Sequence, residues 1–304
     1  MESAFAQTYR PVEIVVLDDG SEDETAELMA SYGDKIRYYR QKNQGIAAAR
    51  TNACRLAKGE YIAFLDDDDL IPPERINLLL TALQENPQAV FSVGDLSIID
   101  DQGKLTGQRW LPENSLGAKE NVLFKQGDEA VLWPYVPAVP HTTLFRRADG
   151  EKIGWFDQQY RYAAEDKDFF ARLGRLGPIV YIPEVVSFYR RGHSSLTKNS
   201  LRTYFSQLLL FENHLKSTDP QQHKLRARLK WRILNTLKQM LRSRMAGTGI
   251  PGEIPERYLS NALSLLSFSD KINYWLFFGK MLVRKQILGK EVIDTINKNE
   301  KGTT

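Results

Sequence analysis

Ten residues constrain this chain more than any others: Tyr61-Ile62-Ala63-Phe64-Leu65-Asp66-Asp67-Asp68-Asp69-Leu70, an apolar run that stops at four consecutive carboxylates. The uncharged residues are rich in aromatic and branched side chains and predict a strand buried on both faces. The acids then sit at its carboxyl end, where ligands bind in open α/β sheets. Four adjacent like charges repel unless a cation or solvent compensates them. A divalent-metal site beside a phosphorylated substrate meets that requirement, and so does an acidic surface turn.

Two other metal-loop patterns fail on the residues. A helix-loop-helix calcium loop starting at Asp66 needs an oxygen ligand, a Gly and a Glu where Leu70, Ile71 and Asn77 stand. A haloacid-dehalogenase-type Asp-x-Asp-x-Thr/Val loop has Leu70 at its last position. The surviving pattern is an Asp-x-Asp element after a buried strand. The single cysteine, Cys54, allows no internal disulfide, fits a reducing compartment and falls in a helical pattern as a core residue. No run of apolar residues reaches the roughly 18 needed for a membrane span, and Met1-Glu2-Ser3 lacks a secretory pattern. The expected location is therefore cytoplasmic. Charge is uneven: residues 1–199 hold 23 Lys and Arg against 30 Asp and Glu, whereas residues 200–304 hold 18 against 8. Two functional parts, 1–200 and 201–304, are expected.

Along the chain, Met1 to Gln7 read as the end of a helix, and Val12 to Leu17 as a strand ending in Asp18-Asp19-Gly20-Ser21. Gly20 permits a tight turn there, and turn and capping chemistry would account for both acids. Ile36 to Arg40 is a second strand, Asn43-Gln44-Gly45 a turn, and Ile46 to Lys58 a helix carrying Arg50 and Asn52. A helix from Pro72-Pro73 through Asn86, a strand at Ala89 to Asp95 and a further sheet edge at Leu96 to Ile99 follow. Leu105 to Trp133 read as an irregular, substrate-covering stretch. His141 to Arg147 reads as a strand, and Glu165-Asp166 opens a helix whose dipole alone would favour them. His193, in a Gly-Ser loop, reads on its own as a solvated residue.

Three motifs in order carry a resemblance. Gln7-Thr8-Tyr9-Arg10-Pro11-x-Glu13-Ile14-Val15-Val16-x-Asp18-Asp19-Gly20-Ser21, then Asn43-x-Gly45 with Ala49-Arg50-x-Asn52, then Gly59-Glu60-Tyr61-Ile62-x-Phe64-Leu65-Asp66-x-Asp68-Asp69, resemble the family-2 inverting glycosyltransferases of the GT-A fold. Gly154-x-Phe156-Asp157, Glu165-Asp166 and Val185-x-Ser187-x-Tyr189-Arg190-x-x-His193-x-Ser195 extend the likeness to about residue 200. It implies a Rossmann-like mixed α/β sheet flanked by helices. It also implies a Val/Ile-rich strand and a Pro-x-Tyr-Asn ahead of the helix in which Met1 stands, so that residues 1–200 would lack the family's first strand.

The resemblance further implies an inverting transfer of sugar from a nucleotide diphosphate, a UDP-sugar first of all, to a glycan or lipid-linked acceptor in surface-polysaccharide synthesis. Asp18, Asp19, Arg50, Asp66 and Asp67 would contact the nucleotide-sugar, Asp68 and His193 would hold Mg²⁺ or Mn²⁺ with Asp69 behind them, and Asp166 would be the general base. A non-catalytic nucleotide-sugar or glycan-binding protein is the alternative. Beyond Leu201 the sequence shows basic helices, at Tyr204 to Leu215, Gln222 to Met245 and Tyr258 to Gly289. Within them Lys271 to Lys285 interleaves aromatics with bases, which suits either a helix bundle or an anionic membrane at the inner face of the cell. No nucleic-acid motif accompanies the basic part.

Overall fold

The computed structural model of this chain describes residues 1–109, 120–125, 127–132, 136–160, 163–191, 200–245 and, with single-residue gaps, 262–277. Two compact units emerge, Met1–Leu196 and Thr197–Thr304.

In the first unit the short helix α1 (Glu2–Phe5) precedes β1 (Val15–Asp18), α2 (Thr25–Ser31), β2 (Arg37–Arg40), α3 (Ile46–Leu56) and β3 (Tyr61–Ile62). Then come α4 (Arg75–Glu85), β4 (Phe91–Ile99), β5 (Leu105–Arg109), β6 (Val122–Phe124) and α5 (Gly127–Leu132). The unit continues through β7 (Thr143–Arg146), α6 (Arg147–Lys152), α7 (Glu165–Gly174) and β8 (Ile179–Arg190). β1 and β2 pair in parallel as a sheet of their own. The other strands form a mixed sheet in the order β3-β7-β4-β8-β6, with β5 also on β4. Its β4–β8 pairing is parallel and the rest antiparallel.

Side-chain alternation along β7 builds the two faces of that sheet. Leu144 joins Leu79, Leu83, Val180 and Val186 in the layer under α4. Phe145, the next residue, meets Phe169 at 5.2 Å between ring centroids, and Phe169 stacks on Phe156 at 4.2 Å. The fully buried Phe169 and Phe170 therefore fix α7 to the face opposite α4. Aromatic burial of this kind contributes about 1.5–3 kcal/mol per side chain. It sets the body of α7 firmly relative to the sheet.

Three sequence expectations change. β3 covers only Tyr61–Ile62, and Ala63, Phe64 and Leu65 are half-buried rather than buried on both faces. β3 is an edge strand whose sheet partner is β7, so one flank lacks a strand to cover it. The stretch from Leu105, read as irregular, holds β5, β6 and α5; residues 110–119 lie outside the described part. Leu96 to Ile99 is no separate edge, because β4 runs unbroken over nine residues, and the change of register opposite Gly94 to Leu96 comes from extra residues in β8, whose Ile182, Val185 and Ser187 pair with them.

In the second unit α8 (Ser200–Ser217) and α9 (His223–Met245) pack on each other through residues such as Leu208, Phe211, Leu229 and Ile233. Most of Lys271 to Lys285 lies outside the described residues. Among the described residues no helix is long and apolar enough to cross a membrane.

Gly94 marks where β4 and β8 approach most closely, since a Cβ there would stand 2.5 Å from Val186 Cγ1 and 3.1 Å from the Glu184 carbonyl oxygen. Gly94→Ala is expected to destabilise the first unit by about 1–3 kcal/mol through overpacking. Urea unfolding would measure it, and an unchanged midpoint would mean that β8 yields freely.

Candidate active site

The acid loop begins where β3 ends and is tied to the end of β8. Leu70 exchanges two backbone hydrogen bonds with Phe188, at 3.1 and 2.8 Å. Arg190 N–H donates to Asp69 Oδ1 at 2.9 Å, Arg190 Nε donates to the Asp68 carbonyl at 2.8 Å, and its Nη1 reaches the carbonyls of Asp100 and Asp101. One arginine thus closes the loop by satisfying backbone acceptors, and the four carboxylates take different environments.

Asp67 is exposed, Asp66 and Asp68 are half-buried and Asp69 is buried. Burial pushes the Asp69 carboxyl up to about 7, with the neighbouring charges of Asp68 and Asp66 adding to it against the Arg190 N–H. Its Oδ2 is buried without a hydrogen-bond partner. Burial acts on Asp66 in the same direction but is outweighed, chiefly by Arg50, whose Nη2 lies 3.0 Å from Oδ1, so the group stays below its ordinary range.

His141 supplies the third member of this cluster. It lies in the tight turn Pro140–Thr142 before β7, not on the expected strand. Its Nδ1 stands 2.6 Å from Ser187 Oγ and 3.5 Å from Asp69 Oδ2, and its ring stacks on Tyr189. Burial lowers its pKa to about 4, which leaves a neutral imidazole at pH 7. Asp66, Asp69 and His141 each offer a ligand atom within 4.8 Å of the others. Two carboxylates, one of them with an orphaned buried oxygen, and a neutral imidazole fit a divalent cation of the Mg²⁺ or Mn²⁺ kind, the imidazole favouring Mn²⁺ of the two.

The expected residues are placed unequally. Asp68 stands outside this trio, and His193 lies outside the described residues. Asp18 accepts hydrogen bonds from the Gly20 and Ser21 backbone at 3.0 and 2.7 Å and from Tyr38 Oη at 2.6 Å. Burial opposes its charge, but these donors and Arg40 hold its pKa down to about 2. Asp19 accepts from Gln41, from Gln44 N–H and from Gly45 N–H, tying the first turn to the start of α3. Both acids thus order turns. Arg50 is half-buried as a residue, its side chain mostly covered, with hydrogen bonds to Asp66 and to Glu165.

Asp166 lies in the first turn of α7 and its Oδ1 accepts the Lys167 N–H at 2.7 Å. Arg50 thus touches both the first acid of the loop and the residue next to Asp166. Sequence reading placed His141 in a strand with no site role and gave Asp69 a place behind the expected ligands, whereas the structure brings both beside Asp66. No local pattern joins His141 to a loop 72 positions earlier, although a histidine in a tight turn leading into a buried strand was a usable hint.

The sheet, the acid loop and the acidic helix start make up an α/β protein of the GT-A fold. The glycosyl transferase family 2 model matches residues 1–154, and the chain belongs to that family. It is similar to uncharacterized glycosyltransferases of Rickettsia typhi, 29% identical over 73% of this chain and 68% of that protein, and Rickettsia prowazekii, 30% identical over 70% and 64%. S. aureus TarS 1-349 in complex with UDP-GlcNAc shares the fold at a TM-score of 0.63, with 17% identity over 88% of this chain and 77% of that one. The mannosyltransferase PcManGT of Pyrobaculum calidifontis, in complex with GDP-Man and Mn²⁺, does so at 0.55, with 17% identity over 94% and 80%.

Because burial raises the Asp69 pKa from 3.8 to about 7, the metal-free protein loses stability as pH climbs through that interval, when an uncompensated charge forms inside. Mn²⁺ held at a hundred times its Kd at pH 8 is expected to restore about 2.7 kcal/mol there, and the same concentration less at pH 6, where a protonated Asp69 weakens binding. Asp69→Asn should abolish the effect. An equal thermal shift in that variant would place the ion elsewhere.

Proposed function

We propose that the chain transfers a sugar from a nucleoside-diphosphate donor to an acceptor hydroxyl with inversion at the anomeric carbon. The observation that carries this reading is the Asp66, Asp69 and His141 cluster joined through Arg50 to the start of α7. Family membership supports glycosyl transfer. The UDP-GlcNAc and GDP-Man bound by the structural neighbours support a nucleotide-sugar donor, with a UDP-sugar the first choice. The stretch similar to Escherichia coli chondroitin synthase, 33% identical over 115 residues, favours a glycan acceptor, and hence polysaccharide synthesis.

Asp166 is assigned as the general base: its carboxylate takes the proton of the acceptor hydroxyl as that oxygen bonds to the anomeric carbon. The bond from that carbon to the diphosphate oxygen breaks in the same displacement, and the nucleoside diphosphate leaves with the electron pair. One displacement inverts, and no covalent nucleophile is needed. Asp66, Asp69 and His141, with Asp68 beside them, would hold a divalent cation, which would supply positive charge for the departing diphosphate. Asp18 and Asp19 shape the nucleotide side through the turns they order, and exposed Asp67 faces solvent where the donor would enter.

Asp166→Asn keeps the shape and removes the base. It is expected to lower kcat on the order of 10²- to 10⁴-fold, read as nucleoside-diphosphate release from a panel of UDP- and GDP-sugars, while UDP affinity stays unchanged by titration. Full turnover in the variant would remove Asp166 from the reaction, and binding without turnover in the wild type would favour a non-catalytic nucleotide-sugar binder.

A further inference from the structure

We propose that Arg50 is a positioning residue that acts through Glu165 to fix the first turn of α7, and with it the Asp166 carboxylate; this rests on the role given to Asp166 above. The guanidinium is not displayed for a ligand. Its side chain is 10% exposed and that of Glu165 only 6%. Nη1 donates to Glu165 Oε1 at 2.5 Å, and Nη2 donates to Asp66 Oδ1 and Oδ2 at 3.0 and 3.3 Å. Both terminal nitrogens are thus engaged with carboxylates from two elements remote in sequence. The fork geometry of an arginine suits that double duty, whereas a lysine offers one point charge.

Two features show what the pair holds in place. Ala164, immediately before Glu165, has φ 72°, a left-handed conformation in a residue that carries a Cβ. That costs about 1–2 kcal/mol and persists where surrounding contacts over-determine it. Glu165, Asp166 and Asp168 also all fall in the first turn of α7. Asp168 is paired with Arg172 at 2.7 Å, but Glu165 is buried among acids, with burial and then Asp166 raising its pKa to about 7 and Arg50 opposing them. Without the guanidinium, Glu165 would sit uncompensated beside Asp66 and Asp166, and the strained entry to the helix would lose its anchor. The helix body, held by Phe169 and Phe170 in the core, would stay. The damage would therefore fall on the first turn, where the proposed base lies.

The test is a double-mutant cycle in the full chain with Arg50→Met, Glu165→Gln and the pair together. Each single change is expected to lower kcat by about tenfold to a hundredfold, the scale of an ångström of misplacement. UDP affinity should hold within about threefold, and the double variant should be no worse than the poorer single because both act through one contact. Arg50→Lys should recover part of the loss. Amide exchange over residues 165–168 should quicken by about tenfold or more in Glu165→Gln, which is isosteric and keeps the protein folded, while α4 amides do not change. Additive losses, a fall in UDP affinity in the Arg50 variants alone, or unaltered exchange at α7 would each overturn the proposal. Exchange is read without turnover, so a wild-type protein inactive on every donor would sink the transferase reading and still leave the strut decided.

Discussion

Close packing of like charge is the constraint on which the site depends. Asp66, Asp68 and Asp69 at one end and Glu165 and Asp166 at the other bring acids from two parts of the chain together, with Arg50 bonded to Asp66 and Glu165 and Arg190 to Asp69. Two unit charges 4 Å apart interact by about 4 kcal/mol at the effective dielectric of a protein surface. Arg50, Arg190 and the fully buried Arg75 offset part of that charge. The remainder is distributed: burial pushes Asp69 and Glu165 up to about 7, Arg50 stabilises the Asp66 charge, and Asp67 stays in water. A site arranged in this way has capacity for one more positive charge, which is what a divalent cation with a diphosphate beside it would bring.

The scaffold meets that cost with rigidity elsewhere. Arg190 anchors the acid loop by donating to the Asp69 carboxylate and to three carbonyls. The aromatic cluster of Phe145, Phe156 and Phe169 sets α7 on the sheet. Glu13 binds the backbone N–H groups of Lys58 and Gly59 and pairs with Arg37 at 2.6 Å, which ties β2 to the segment leading into β3. These contacts are peripheral to the chemistry, but they place the loop and the helix start in register.

Much of this was legible in the sequence. The alternating and continuous apolar runs gave most of the strands of the first unit, and the Asp-x-Asp run and the Glu165-Asp166 pair are the acids that Arg50 joins in the structure. What escaped reading was non-local. The length of β3 depends on which strands flank it, and the need for a glycine at position 94 depends on Val186 of β8 coming close to it. His141 acquires its place only when the turn before β7 comes to lie beside Ser187 and Asp69. Arg50 belonged to a recognised motif, yet its partners are 16 and 115 positions away. Burial decides whether such a residue faces a ligand or a neighbouring carboxylate, and composition carries no record of that.

The central claim is that the loop after β3 and the start of α7 form one cation-dependent site. Anomalous diffraction from crystals grown with Mn²⁺ and UDP tests it most directly. The expected result is a single manganese peak within ligand distance, about 2.0–2.6 Å, of Asp66, Asp69 and His141, with the diphosphate lying between the ion and Asp166. A manganese peak bound only by exposed carboxylates, or a diphosphate remote from α7, would contradict it.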